Sequence, residues 1–354
     1  MPSLSVWLDA LDKMPQLKTL ALYWASPTAP PGASLTFDVE RTVTLPSLTH
    51  IDISASPGDC ALALAHLVLP VLTSLCLTAW SGLMDGGDVQ QLLPYVAQHA
   101  HGPQDTRPLQ SVLTRGDEAY ANILAWPVPD IDVEAHDPLT LLAAMLSPRV
   151  ALSVTSKVWH SQMHVVVLNA AMAALPLDAL DSLVTLTAQH HAQQIMRPIY
   201  VVYWLRCAPK WLLLRRVRLV HHVERGFITM LLEDNGGRES PLLPSLTELI
   251  MVSAPLDEPW TLRLCDALMK RVEQGVPLQM LDLRACLPSN PTVVRLLSEI
   301  VVDVLSPEKT LEEREAINDM WDSVARGLFV EGDNSGAEDY SDTRRLRLGL
   351  RHRW

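Results

Sequence analysis

Histidine pairs come nearest, of all the residues in this chain, to the spacing that a metal or catalytic centre requires. Trp159-His160-Ser-Gln-Met-His164 sets two imidazoles four residues apart, which on a helix points both toward one ion. No glutamate stands between them as in HExxH, and no third ligand follows nearby, so two ordinary solvated histidines are expected. His99-Ala-His101, His190-His191 and His221-His222 are less specific still. Asn235-Gly236-Gly237 has the glycines of a phosphate loop but not the lysine and hydroxyl residue that would follow. Coming after Leu231-Leu232-Glu233-Asp234, it reads as a helix C-cap and turn. The five cysteines, Cys60, Cys76, Cys207, Cys265 and Cys286, form an odd set without a CxxC pair. Free buried thiols in a reducing compartment are expected, not a disulfide framework or a zinc site. There is no GxSxG elbow and no paired-carboxylate signature. The sequence therefore predicts no catalytic residues, no metal and no cofactor.

Charge and hydropathy narrow the partners. The 354 residues carry 28 Lys and Arg against 40 Asp and Glu, a net charge of −12, which repels a polyanion and argues against nucleic acid. The N-terminus lacks the basic and apolar regions of a secretory signal. The two most apolar stretches, 163–177 and 201–220, are broken by polar residues, proline or arginines. A membrane span needs about 20 apolar residues in succession. The expectation is a soluble intracellular protein, cytoplasmic or nuclear.

The elements that would position any site emerge from the leucines, which dominate the composition while Phe occurs only 3 times. One phrase recurs, an apolar residue, two spacers, an apolar residue, one spacer, and another apolar residue. It reads Leu17-Lys-Thr-Leu20-Ala-Leu22, Leu48-Thr-His-Ile51-Asp-Ile53, Leu72-Thr-Ser-Leu75-Cys-Leu77 and Leu183-Val-Thr-Leu186-Thr-Ala188. It continues as Leu214-Arg-Arg-Val217-Arg-Leu219, Leu246-Thr-Glu-Leu249-Ile-Met251 and Leu278-Gln-Met-Leu281-Asp-Leu283. The last four begin 31, 32 and 32 residues apart. In such a phrase the last three positions form a short strand with alternate residues inward, and the first leucine plugs the turn leading into it.

Between the phrases lie segments of helical period: after Asp59, after Asp88, after Asp137-Pro138, and over 258–275 and 289–305. Strand, loop, helix and loop in alternation predict an α/β leucine-rich-repeat solenoid, a horseshoe with a parallel concave sheet and outer helices, in about eight or nine irregular repeats. The middle fits less regularly. Leu109-Gln-Ser-Val112 and Arg149-Val-Ala-Leu-Ser-Val154 fill the strand slot imperfectly, Ile131-Asp-Val133 is a further strand candidate, and the register between 109 and 183 stays open. The solenoid is expected over 1–330, closed by a capping helix at about 306–329 that the Thr310-Leu-Glu-Glu313 capping box starts. Residues 331–354 read as a disordered tail, acidic up to 342 and then carrying Arg344, Arg345, Arg347, Arg351 and Arg353, which suit a nuclear-localisation or anion-binding patch.

On a solenoid the alternate strand residues that face away from the helices form the binding surface. In the clearest phrases these are Thr19 and Ala21, His50 and Asp52, Ser74 and Cys76, Arg216 and Arg218, Glu248 and Ile250, Met280 and Asp282, followed by Arg284. The candidate protein-binding surface is His50, Asp52, Arg216, Arg218, Glu248, Asp282 and Arg284. Arg216 and Arg218 suit an acidic partner segment. The competing expectation is a cross-strand ladder in which they pair with Glu248 and Asp282.

The segments LPSLTHIDISASPGDCALALAHLVLP (45–70), LLPYVAQHAHGPQDT, ILAWPVPDIDVEAHDP and LLEDNGGRESPLLPSLTELI resemble a family of basidiomycete fungal leucine-rich-repeat proteins of F-box-like type, over roughly residues 5–335. The resemblance implies a substrate-recognition subunit of a cullin-RING ubiquitin ligase, in which an N-terminal F-box docks a Skp-type adaptor and the repeats select the substrate. The first phrase begins at Leu17, which leaves too few residues for an F-box, and no LPxE-type opening precedes it. The adaptor is thus expected only if an F-box belongs to the full-length gene product. The alternative is an orphan or truncated repeat protein with no ligase role and no catalytic activity.

Overall fold

The computed structural model describes residues 4–23, 41–70, 73–81, 87–101, 108–116, 120–128, 148–156, 163–187, 204–220, 223–233, 241–252, 254, 256, 258–286 and 291–306. In chain order the first elements are α1 (Leu4–Asp12), β1 (Thr19–Tyr23), β2 (Val43–Thr44), β3 (His50–Ala55), α2 (Pro57–Ala65), β4 (Leu67–Val68), β5 (Ser74–Ser81) and α3 (Leu93–His101). The middle holds β6 (Ser111–Gly116), β7 (Tyr120–Trp126), β8 (Val150–Ser156), α4 (Met163–Ala174) and β9 (Ser182–Thr187). The remainder is β10 (Arg216–Val220), α5 (Glu224–Leu232), β11 (Glu248–Val252), α6 (Glu258–Glu273), β12 (Met280–Ala285), α7 (Pro291–Ser298) and β13 (Asp303–Leu305).

Eleven strands form one sheet in the order β1-β3-β5-β8-β7-β6-β9-β10-β11-β12-β13, while β2 and β4 pair separately. The fold is therefore mixed α/β around a large, mostly parallel sheet. The repeat phrase explains the register. One inward row runs Leu20, Ile51, Leu75, Val150, Ala125, Val112, Leu183, Val217, Leu249 and Leu281. Every member is buried and joins the same core as the helices. A second inward row holds Leu22, Ile53, Leu77, Leu152, Ile123, Thr114, Thr185, Leu219 and Met251. Leu283, the matching residue of the last phrase, is buried too. Turns before the strands repeat as well: Leu48 N–H donates to the Leu45 carbonyl (3.1 Å), Leu214 to Trp211 (3.3 Å) and Leu246 to Leu243 (3.1 Å).

The centre departs from the expected all-parallel order. β6 and β7 form an antiparallel hairpin, and β7 pairs antiparallel with β8. The chain thus leaves β5, skips two places to β6, and returns through β7 to set β8 beside β5. A reversed strand still alternates faces with period two, so β7 keeps both inward rows filled with Ala125 and Ile123. Leu109-Gln-Ser-Val112-Leu-Thr114 proves to be a phrase in register with its neighbours, ending in threonine. Ile131-Asp-Val133 lies outside the described residues.

Three further expectations shift. The phrase starting at Leu183 is displaced by three residues: Val217 pairs with Leu183, so Leu180 is the plug, Leu183 and Thr185 are inward, and the spacing to Leu214 is 34 residues. Threonine in the third slot hides this register, and it is satisfied by a buried hydrogen bond from Thr114 Oγ1 to Thr185 Oγ1 (3.1 Å). The helix expected over 289–305 stops at Ser298, and 303–305 form the edge strand β13. In α2 the cap is Ser56, whose Oγ accepts the Asp59 N–H at 3.2 Å, with Pro57 in the first turn. The segments after Asp137-Pro138 and beyond 306, including the expected cap and tail, fall outside the described residues.

Candidate functional site

The paired registers show which of the proposed surface residues lie together. On the face of the sheet away from the helices, one row runs Thr19, His50 and Ser74 and, beyond β8, Trp126, Ser111, Ser182, Arg216, Glu248, Met280 and Asp303. The next runs Ala21, Asp52, Cys76, Ala151, Leu124, Leu113, Val184, Arg218, Ile250 and Asp282. Pairs read from separate phrases thus stand side by side, as strand alternation requires. His50 and Asp52 lie near one edge, and Arg216, Glu248, Asp282 and Arg284 toward the other.

Burial divides these rows. Thr19 and Ala21 are exposed, and His50, Asp52 and Cys76 half-buried. In the middle, Trp126, Leu124, Leu113 and Val184 are all buried, Leu113 completely. The covered zone extends to Arg218, Ile250 and Asp282. Arg218 and Asp282 are therefore not freely displayed. The accessible polar residues fall into two separate groups on either side of an apolar centre.

Electrostatics within each group is largely satisfied internally. Arg216 Nε donates to Glu248 Oε2 at 2.5 Å across directly paired strand positions, the expected ladder contact. Asp282 turns to its own strand instead: Arg284 Nη2 reaches its Oδ2 at 2.6 Å, and the Arg284 backbone N–H its Oδ1 at 3.0 Å. At the other edge Tyr23 Oη donates to Asp52 Oδ2 at 2.6 Å. Just outside the sheet, Arg215 Nε meets Asp181 Oδ1 at 2.5 Å, and that contact raises the Arg215 pKa.

Several buried polar groups escaped the sequence reading. Asn122, on the far face of β7 and 1% exposed, bonds neither its Oδ1 nor its Nδ2 to another group among the described residues. Arg271 in α6 is 2% exposed and sends Nη1 to the Leu242 carbonyl (2.9 Å) and Nη2 to those of Leu243 and Leu246 (both 3.1 Å). It holds the turn in which Leu243 adopts a positive φ of 51°, a conformation unfavourable for leucine. Burial lowers its pKa to about 10. Glu224, at the start of α5, is 1% exposed, and burial raises its carboxyl to about 7. The one sequence signal for Glu224 is helical spacing: Glu224, Phe227, Ile228 and Leu231 form a single i, i+3, i+4, i+7 stripe, and all are buried.

The residues tested for chemistry are dispersed. His99 Nε2 contacts the Thr73 carbonyl at 2.8 Å, and burial, opposed by that bond and aided by the charge of Arg149, lowers its pKa. Among the described residues no group of three or more His, Cys, Asp or Glu could hold a metal. His160, His190, His191, His221 and His222 fall outside them. None of the five cysteines is in a disulfide: Cys60, Cys207, Cys265 and Cys286 are buried and Cys76 is half-buried. Burial pushes the Cys60 and Cys207 thiols up to about 12. No helix among the described residues is long and apolar enough to cross a membrane.

No family model, no curated protein and no solved structure matches this chain.

Proposed function

We propose that the chain is a protein-interaction module, a leucine-rich-repeat solenoid whose concave face presents alternate strand residues to another protein. By its resemblance to fungal F-box-like repeat proteins it acts as a substrate-recognition subunit of a cullin-RING ubiquitin ligase. The observation that carries this reading is the stepwise parallel pairing from β9 to β13, which aligns outward residues of separate phrases into continuous rows. A surface built from one residue pair per repeat suits an extended partner, which contacts several strands at once. The contact falls on the two accessible groups, His50 and Asp52 at one edge and Arg216, Glu248 and Arg284 toward the other.

Two experiments test this. Affinity capture with the wild-type chain is compared with a Glu248→Lys, Arg284→Glu double variant of unchanged circular dichroism. Loss of specific partners is expected, and an identical set of captured proteins would sink the surface assignment. Co-purification of the full-length gene product with a Skp-type adaptor tests the ligase role, which is defeated if other partners are recovered without it.

A further inference from the structure

A carboxyl group at the first turn of a helix ordinarily faces water and favours the helix through its charge. Glu224 does not. It is 1% exposed, and its Oε1 has no hydrogen-bond partner among the described residues. It opens the stripe that buries α5, one turn before Phe227 on the same helix face. The Phe227 ring packs edge-on against Trp204 with centroids 5.0 Å apart, and Trp204 packs edge-on against Trp211 at 6.0 Å. All three aromatic residues are fully buried. A carboxylate in such surroundings pays a desolvation cost that a carboxylic acid does not.

The charged groups of the surrounding elements do not relieve it. Its own backbone N–H and then the charge of Arg225, the next residue, favour its ionisation, and burial outweighs both. On α6, which packs against α5, Arg263, Asp266 and Glu273 are exposed. Lys270 binds the Leu232 and Glu233 carbonyls at the opposite end of α5, and Arg271 binds the turn before β11. Next to the tryptophans, Arg206 and Lys210 are exposed, and the Cys207 thiol stays neutral. On β10, Arg216 and Arg218 belong to the far face of the sheet. His221 and His222 precede the helix outside the described residues.

We propose that α5 is a proton-dependent latch: with Glu224 protonated the helix stays docked through Phe227 on Trp204, and ionisation of Glu224 drives local undocking that returns the carboxylate to water. The docked state binds the proton with a pKa of about 7, while an undocked, solvated glutamate has the ordinary 4.5. Docking is therefore strongest below 4.5, weakens as the pH rises from 4.5 to about 7, and levels off above that. Across that window the population of the undocked state rises roughly tenfold per pH unit.

The test is hydrogen exchange read by mass spectrometry on the full chain between pH 5 and pH 8, corrected for intrinsic exchange. The α5 peptide should lose protection about fortyfold between pH 5 and pH 7 and then level off, while the α6 peptide follows only global stability. Glu224→Gln, neutral at every pH, should keep α5 as protected at pH 8 as the wild type is at pH 5. Constant α5 protection in the wild-type chain would overturn the proposal. So would a pH dependence that survives in Glu224→Gln, which would assign the effect to another group such as His221 or His222. The wild-type profile decides even if that variant does not fold.

Discussion

From β9 to β13 each strand lies beside its neighbours in sequence; between β5 and β9 the chain crosses over itself, reverses through a hairpin and comes back. Both regions fill the same two inward rows, so the core cannot tell them apart. They differ on the other face. Toward the two edges that face carries exposed or half-buried residues such as Thr19, His50, Asp52, Arg216 and Glu248, whereas β6, β7 and β9 carry Leu113, Leu124 and Val184, all buried, and the burial reaches on to Arg218, Ile250 and Asp282. A strand apolar on both faces is a core strand. The reversed hairpin thus turns the middle of the sheet into a two-sided core and leaves the polar surface at its flanks.

The sharpest way to break this contrast is to place a charge at matched positions of the second far-face row. Leu113→Asp buries an unpaired carboxylate and should cost more than about 4 kcal/mol, enough to unfold a chain of ordinary stability. Cys76→Asp, two strands outside the hairpin and half-buried, should cost less than about 1.5 kcal/mol. Equal losses in urea unfolding would show that the two regions do not differ. Next in size is the threonine pair that joins the hairpin to β9. Thr114→Val and Thr185→Val each strand a buried hydroxyl and should each cost about 1–2 kcal/mol, while the double variant falls well short of their sum. Additive losses would mean that the 3.1 Å contact does not couple the regions.

What the sequence shows and what it hides follows the same division. In the outer strands Leu20, Ile51, Val217, Leu249 and Leu281 could be placed inward from the phrase alone, and their outward partners aligned as expected, because each pairing follows from the next repeat. The same local rule failed where neighbours in space are distant in sequence. Nothing in Ser111–Gly116 announces that its partner on one side is Tyr120–Trp126 and on the other Ser182–Thr187. Threonine in the third slot moved the phrase at Leu180 out of register. The burial of Arg218 and Asp282 was illegible for a related reason: alternation says which face a side chain takes, not what lies over it. Glu224 was overlooked because first-turn glutamates are ordinarily solvated, though its spacing to Phe227 pointed inward.

The seam between the N-terminal strands and the hairpin makes a smaller, pH-dependent prediction. His99 in α3 meets the Thr73 carbonyl, Thr73 Oγ1 donates to the Leu48 carbonyl at 2.7 Å, and Arg149 Nη2 donates to the His99 carbonyl at 3.3 Å. Because the folded state lowers the His99 pKa below 6.5, the unfolded chain takes up the proton first as the pH falls. Stability should decline below pH 6.5 with a slope of at most about 1.4 kcal/mol per pH unit from this residue, and His99→Gln should flatten it. An unchanged slope in that variant would place the titration elsewhere. The smallest effect belongs to the exposed flank: a double-mutant cycle on Arg216 and Glu248 should give a coupling of about 0.5 kcal/mol that shrinks in high salt. A coupling of several kcal/mol would make the flank as structural as the centre.

The buried thiols have a use that has nothing to do with disulfides or metals. The thiolate is the form that reacts, and a group with a pKa of about 12 is ionised at pH 7 in roughly one molecule in 100,000. Cys60 sits in α2, Cys207 ahead of β10, Cys265 in α6 and Cys286 just past β12. Cys60 and Cys207 therefore stay silent to an alkylating reagent until their own parts of the molecule come apart. The order in which those two are labelled during unfolding would record, without any engineered probe, whether α2 or the segment ahead of β10 lets go first.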